Sequence, residues 1–377
     1  MTKIADQRHR FAMPRDVHYF NCGYMGPLPD VVSAAVAAGA ARKQTPWTYA
    51  PTDFFAQIEA FRTRAATLVG TAADNIAIVP SVSYALATAA RNLPVARGQS
   101  IVVLGDQFPS NFYVWQDMAA AAGGDIRVAR RDPDDDWTAA TLDAITADTA
   151  IVAVPHCHWA DGRRVDLVAV GTACRTVGAA LVIDATQSLG AMPLDLDAVR
   201  PDFMVAACYK WLLSPYGTAI FYVDPRHHAG AAIEQSWLNR AGSQDFARLV
   251  DYQSDFQPGA RRFDMGECAN PPLLMGAGAA FDLICAWGIA NIAETLEAKT
   301  GAIADAAAAR GLLPTPAAVR AGHFLSLGFD GAPPAGLVER LAAANVHVSL
   351  RGQSLRITPH LYNNDTDVAA LLDALTD

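Results

Sequence analysis

Positive charge is scarce in this chain: 29 lysines and arginines face 38 aspartates and glutamates, a net charge of −9. The basic residues form no cluster interleaved with aromatics, which argues against nucleic acid as a partner. Cysteine is sparse too, with six scattered at positions 22, 157, 174, 208, 268 and 285, no CxxC pair and several in apolar segments. That pattern suits reduced thiols in a cytoplasmic protein better than a disulfide framework. No apolar run reaches membrane-spanning length, because Lys210 and Asp282 break the longest candidates. Met1 to Pro14 is polar and of mixed charge, without the apolar centre of a secretion signal. A P-loop and a nucleophile-elbow serine are missing as well.

Apolar residues are plentiful. At 377 residues, 52% hydrophobic and 18% charged, the chain can bury a sizeable core and is expected to form two domains. Helical spacing predicts helices over 31–43, 54–69, 84–92, 111–122 and 165–178. Between them, short apolar runs predict strands at 75–79, 100–104, 126–130, 150–155, 180–184, 203–207 and 218–223. Such repeated strand–helix units imply an α/β fold with a mostly parallel sheet covered by helices on both faces. From about Asn270 the pattern changes. Pro271-Pro272 opens a long helical stretch with a break expected near Gly301; strands at 323–329, 347–350 and 354–358 and helices at 337–345 and from 366 follow. The expected division is an N-terminal arm over 1–17, a large domain over 18–283 and a smaller C-terminal α/β domain over 284–377. Asp132 to Asp136 reads as a solvated acidic turn. Gly276-Ala277-Gly278 is a dinucleotide-like echo with no strand before it, and is set aside.

The chemistry centres on residues 181–223. Leu181-Val182-Ile183 delivers Asp184 into a turn, and Phe203 to Ala207 delivers Lys210. Burying a lone charge is expensive, so residues placed like this are usually paired or chemically employed. A lysine whose pKa is lowered by burial can attack an aldehyde and form a Schiff base. Pyridoxal phosphate needs such a lysine, a carboxylate on its pyridinium nitrogen, a phosphate cup and a flat surface against the ring. Asp184 supplies the carboxylate from a strand end, and Gln187 is placed to meet the ring hydroxyl. Pro80-Ser81-Val82-Ser83 joins a strand to a helix and suits an anion, although a serine N-cap explains it equally. Phe108 can stack on the ring or belong to the core. Arg356 can grip an α-carboxylate through two parallel hydrogen bonds or form a surface ion pair. His156 and His158 share a face at strand spacing, but no third ligand accompanies them, so no metal site is expected.

These pieces occur in the order and spacing of a known family. The chain resembles the class V aminotransferase family of fold type I pyridoxal-phosphate enzymes, from about Tyr19 onward and most strongly at Asp184-Ala185-Thr186-Gln187 and Tyr209-Lys210. The resemblance implies that Lys210 holds the cofactor, Asp184 its ring nitrogen, Gln187 its hydroxyl and Ser83 its phosphate, with Arg356 on the substrate carboxylate. Asn21 is implied in substrate binding. Several features are similar to the kynureninase branch: Phe108-Pro109-Ser110 as the ring-stacking segment, Tyr209 as a phosphate ligand, and Asn270-Pro271-Pro272 as a loop reaching the partner subunit's site. Trp237 matches another residue that reaches the partner subunit. Desulfurases carry a nucleophilic cysteine shortly before the position of Arg356; His347 to Ser354 has none, which argues against a persulfide mechanism. Trp159 stands where many members have an asparagine. Glu267 replaces a threonine offered to the neighbour's phosphate, so it turns away, binds substrate or pairs with Arg261 or Arg262.

What the resemblance implies is a homodimer with shared sites. An amino acid enters an external aldimine there, and Lys210 moves protons at Cα. β-Cleavage by a lyase or a kynureninase-like hydrolase is the first expectation, ahead of transamination or epimerisation. A non-catalytic protein of this fold, or a hydrolase built on His156 and His158, ranks lower.

Overall fold

Short, uniformly apolar strands build the centre of the molecule. In the computed structural model, which describes residues 3–132 and 136–375, the chain opens with β1 (His18–Tyr19), α1 (Asp30–Ala41) and α2 (Pro51–Val69). Strand–helix units follow: β2 (Ile76–Val79), α3 (Val82–Asn92), β3 (Ser100–Leu104), α4 (Tyr113–Ala122), β4 (Asp125–Ala129), α5 (Trp137–Ala144) and β5 (Thr149–Pro155). Then come α6 (Leu167–Val177), β6 (Ala180–Asp184), α7 (Leu196–Val199), β7 (Phe203–Ala207) and β8 (Ala219–Val223). Strands β2 to β8 form one sheet in the order β2-β8-β7-β6-β5-β3-β4. It is parallel from β7 through β4, while β8 runs antiparallel to both β7 and β2.

In β3, Val102 and Leu104 enter one apolar layer and Ile101 and Val103 the other, and β5, β6 and β7 alternate in the same way. Burial on both faces is why these strands read as continuous apolar runs. β4, at one edge, exposes Asp125. At the other edge, residues 259–265 cover β2: Met265 N donates to Ile78 O at 2.8 Å and Ile78 N donates to Asp264 Oδ1 at 2.7 Å. The fully buried Arg62 holds Asp264 through Nη2 at 2.6 Å. An otherwise open edge is thereby paired and closed.

The second half starts with α8 (Pro271–Trp287) and α9 (Ile289–Ala308), bent by 74° with respect to each other. The break lies at Gly288 rather than near Gly301. Gly288 takes a φ of +77° and ends α8, whereas Gly301 sits inside α9 with open space around it. Gly276 is explained by packing. A Cβ there would lie 2.6 Å from Val36 Cγ2 and 2.7 Å from Pro215 Cγ, so the glycine lets α8 approach α1 closely.

Beyond α9, β9 (Leu313–Pro314), β10 (Leu325–Gly328), α10 (Leu337–Ala343), β11 (Val346–His347), β12 (Ser349–Arg351), β13 (Ser354–Ile357) and α11 (Asp365–Ala374) follow. The second sheet has the order β12-β13-β10-β9, and β11 pairs in parallel with β1. The N-terminal residues lie on this C-terminal half: Gln7 N donates to Leu361 O at 2.9 Å, and Asp367 receives both Arg8 and His18. The acidic turn expected at Asp132 to Asp136 falls largely outside the described residues; its last member, Asp136, caps α5 through Ala139 N at 2.7 Å. Among the described residues no single helix is long and apolar enough to cross a membrane, and α8 with α9 passes that test only as a bent pair.

Candidate active site

The C-terminal ends of β3, β5, β6 and β7 open on one side of the sheet. Because β8 is antiparallel and β2 parallel to β7, the start of β8 and the end of β2 open on the same side. The strand order reverses between β3 and β5, the position where open α/β sheets bind ligands. A cavity of about 240 Å³ lies there. It is lined by Ser81 and Ser83 after β2, Gln107 and Phe108 after β3, Cys157 and Trp159 after β5, Asp184 and Gln187 after β6, and Tyr209 and Lys210 after β7.

Lys210 is 7% exposed. Burial pushes its ammonium down to about 8, against the pull of the Asp184 carboxylate and with the help of Arg356. Asp184 is buried as well, and desolvation raises its pKa although Thr186 and Lys210 act in the opposite direction. Thr186 N donates to Asp184 Oδ1 at 3.0 Å, which fixes the carboxylate. Gln187 is held by two hydrogen bonds, Nε2 to Gly23 O at 2.9 Å and Trp211 Nε1 to its Oε1 at 3.0 Å. One amide N–H of Gln187 is left over to meet a ligand.

Ser81 caps α3 by accepting from Tyr84 N at 3.2 Å, so the ordinary N-cap reading of this turn is satisfied. The same turn brings Ser83 Oγ to 2.9 Å from Ser81 Oγ at the mouth of the cavity. Asn111 Nδ2 is buried with no hydrogen-bond partner among the described residues, and Asn111 lines the cavity, as does Thr218. Buried donors without partners are costly unless a ligand satisfies them. Hydroxyls, an orphaned amide, a carboxylate and a lysine are the donor set that pyridoxal phosphate requires, so the residues present fit it.

Phe108 and Tyr209 each place a ring centroid 5.6 Å from Lys210 Nζ. Phe108 meets Trp159 edge to face at 5.6 Å, and Trp159 Nε1 donates to Asp106 O at 2.7 Å. Tyr209 lies 4.5 Å from the ring of Tyr216. Arg356, on β13, and Asn21 do not line the cavity themselves but stand directly behind Trp159, which does. Arg356 Nη1 donates to Trp159 O at 3.0 Å and its Nη2 to Asn21 Oδ1 at 3.3 Å. Burial, and then Arg351, hold the Arg356 guanidinium down to about 10. Asn21 also accepts from Ser349 Oγ at 2.9 Å, so it acts as a brace for the arginine.

Other expected residues lie elsewhere. Trp237 packs among Phe54, Phe55 and Phe246. Asn270 caps α8 through Leu273 N at 3.3 Å, and neither residue lines the cavity of its own chain. His156 lines a separate groove with Arg164 and Asp166, while His158 contacts Gly105 O at 3.2 Å and the ring of Trp137. Burial keeps His156 neutral by pulling it down to about 3. No group of three or more metal-ligating side chains occurs among the described residues. Glu267 is exposed, at a φ of +58°, and pairs with neither expected arginine. Arg261 binds Glu59 and Asp74 instead, and Arg262 donates to Gly230 O.

Asn111, Thr186, Tyr216, Thr218 and Cys157 are lining residues that sequence reasoning missed. Cys157 and Thr186 follow the ends of β5 and β6, a usable signal. Asn111 and Tyr216 lie in turns with none. Burial raises the Cys157 thiol well above its usual value, so it stays protonated.

A mostly parallel sheet with a lysine and an aspartate at adjacent strand ends defines a fold type I pyridoxal-phosphate enzyme. The chain belongs to the class V aminotransferase family, whose model, aminotransferase class-V, matches residues 43–366. A kynureninase of Deinococcus radiodurans is 31% identical over 278 residues, covering 70% of this chain; the chain spans 64% of that relative. An uncharacterized aminotransferase, YcbU, of Bacillus subtilis is 28% identical over 329 residues, 83% of this chain and 82% of the relative. Among solved structures, C-DES with glycine covalently linked to its pyridoxal-phosphate cofactor superposes with a TM-score of 0.89 at 19% identity, over 98% of this chain and 99% of that one. A cysteine desulfurase from Thermococcus onnurineus gives 0.84 at 19% identity, over 100% and 98%. At that identity the likeness speaks for the fold.

Proposed function

We propose that this chain binds pyridoxal 5'-phosphate at Lys210 and cleaves a bond at Cβ of an amino acid. The observation that carries the reading is a lysine with its ammonium pushed down to about 8, beside a buried carboxylate at the next strand end. Ser83 and Tyr209 would take the phosphate, Phe108 the ring face, Gln187 the ring hydroxyl and Asp184 the ring nitrogen. Trp237 and Asn270 would reach the site of a partner subunit in a homodimer.

When bound, the cofactor supplies an electron sink for the substrate's Cα. Arg356 holds the α-carboxylate with two parallel N–H groups and is itself oriented by Asn21 and Trp159. Lys210, its ammonium pushed down to about 8, would take and return the proton at Cα. Asp184 would meet the ring nitrogen with its carboxyl fixed by Thr186 N, which together with Lys210 opposes the upward pull of burial on its pKa. The kynureninase likeness supports β-cleavage, and the likeness to an aminotransferase over 83% of the chain supports transamination as the second reading.

Purified protein should show the visible absorbance of bound pyridoxal phosphate, and Lys210→Ala should lose it. A colourless wild type that takes up no cofactor would overturn the proposal. An amino-acid screen then separates the reactions, since keto acid formed only with an acceptor marks transamination. We further propose a cytoplasmic location, which the six free cysteines support, and a division between large and small domains near residues 283–284, which the bend at Gly288 supports.

A further inference from the structure

The β12–β13 hairpin carries a second arginine toward the same site. Its register pairs Ser349 with Arg356, Leu350 with Leu355 and Arg351 with Ser354. Side chains alternate across a strand, so Leu350 and Leu355 take one face while Ser349, Arg351, Ser354 and Arg356 share the other. That second face meets Trp159. Arg356 Nη1 donates to the Trp159 carbonyl at 3.0 Å, and the Arg351 guanidinium carbon stands 5.8 Å from the Trp159 ring. Trp159 is itself fixed, by its Nε1 on Asp106 O and by Phe108 at its edge. A continuous series of contacts therefore runs from Lys210 through Phe108 and Trp159 to Arg351.

Among the described residues Arg351 has no anionic partner. Its one hydrogen bond goes from Nη1 to Leu350 O at 2.9 Å, and it forms no ion pair among the described residues. Its charge nevertheless bears on the site, because it helps to depress both Lys210 and Arg356. Lys210 has Asp184 beside it in the cavity lining, whereas Arg351 and Arg356 stand together behind Trp159, a lining residue, with no carboxylate paired to either among the described residues. Holding like charges together without counter-ions is unfavourable, and a site that does so is arranged for anions to arrive. One α-carboxylate answers Arg356 and leaves Arg351 unanswered.

Resting on the proposed function, we infer that the amino acid taken by this site carries a second anionic group on its side chain, and that Arg351 receives it. The partition has a structural basis. Arg356 is 2% exposed and braced by Asn21 and Ser349, so it is fixed for the invariant carboxylate. Arg351 is less buried, and its guanidinium is tied only by Nη1 to the Leu350 carbonyl, which leaves its other N–H groups for a group whose distance depends on the side chain.

The test is a binding titration read from the absorbance of the bound cofactor. Aspartate is compared with asparagine and glutamate with glutamine, on wild type and on Arg351→Gln. Wild type should bind the better acidic member at least about tenfold more tightly than its amide, as one charge-assisted hydrogen bond provides. Arg351→Gln should lose that preference while binding the amides as before, and Arg351→Lys should keep part of it. A wild type without preference overturns the inference. So does an Arg351→Gln that weakens acids and amides equally, since Arg351 would then be a second grip on the α-carboxylate. Cofactor-free protein gives an independent reading: succinate should raise its melting temperature more than butyrate, and the difference should vanish in Arg351→Gln. Cofactor-free protein that treats the two acids alike overturns the inference. A colourless wild type that still distinguishes them overturns the cofactor reading alone.

Discussion

Lys210 is held in a form that water would not favour. A free lysine titrates near 10.5, and burial brings this one to about 8. Between those values the unfolded chain binds more protons than the folded one, so stability rises with pH across that window. The penalty is complete below pH 8 and disappears above 10.5. Cofactor-free wild type should therefore gain stability relative to Lys210→Met between pH 7.5 and 9.5 in urea denaturation, and a constant difference would count against a buried ammonium. The same shift leaves roughly a tenth of the lysine neutral at pH 7, ready to attack an aldehyde. Lys210 and Asp184 were legible because a charge directly after an apolar strand is conspicuous without any knowledge of the fold. Arg351 and Asn111 were not. One depends on the register of a hairpin, the other on which turn faces the sheet's open side, and neither leaves a local mark.

At the scale of the element, the covered edge of β2 makes a definite demand. Arg62 and Asp264 are both buried, and Asp264 is also the acceptor for Ile78 N. Removing Asp264 leaves the buried Arg62 with Glu59 alone, 3.1 Å from its Nε, and Ile78 N without its acceptor, at a cost of about 3 kcal/mol, whereas an apolar replacement of both charges is milder. Asp264→Ala should lower the urea-denaturation free energy by that amount at neutral pH, and Arg62→Met with Asp264→Leu should recover much of it. A loss under about 1 kcal/mol for the single variant would show that the pair is not what closes the edge. The strands of the large sheet were readable because burial on both faces makes them uniformly apolar. α5 and α7 escaped because they are short, and the α8–α9 break was misplaced because two glycines compete for it. Only the backbone distinguishes Gly288, at positive φ, from Gly301 in mid-helix.

For the whole molecule, the proposed sharing of sites between subunits can be tested by mixing. A Lys210→Ala subunit combined with an Asn270→Ser subunit should recover part of the activity that each homodimer lacks, with serine chosen because it keeps the α8 N-cap. No recovery in a confirmed heterodimer would show that Asn270 serves only its own helix. The α/β architecture and its two sheets follow from where apolar periods change along the chain. The pairing of β1 with β11 does not, because two residues at opposite ends of the sequence carry no pattern that links them. The cavity-lining residues lie between 80 and 218, while the two arginines proposed to face the substrate occupy a hairpin within 349–357. A duplicated gene could accordingly acquire a new diet by editing a few codons of that hairpin, leaving untouched the segment that confers reactivity.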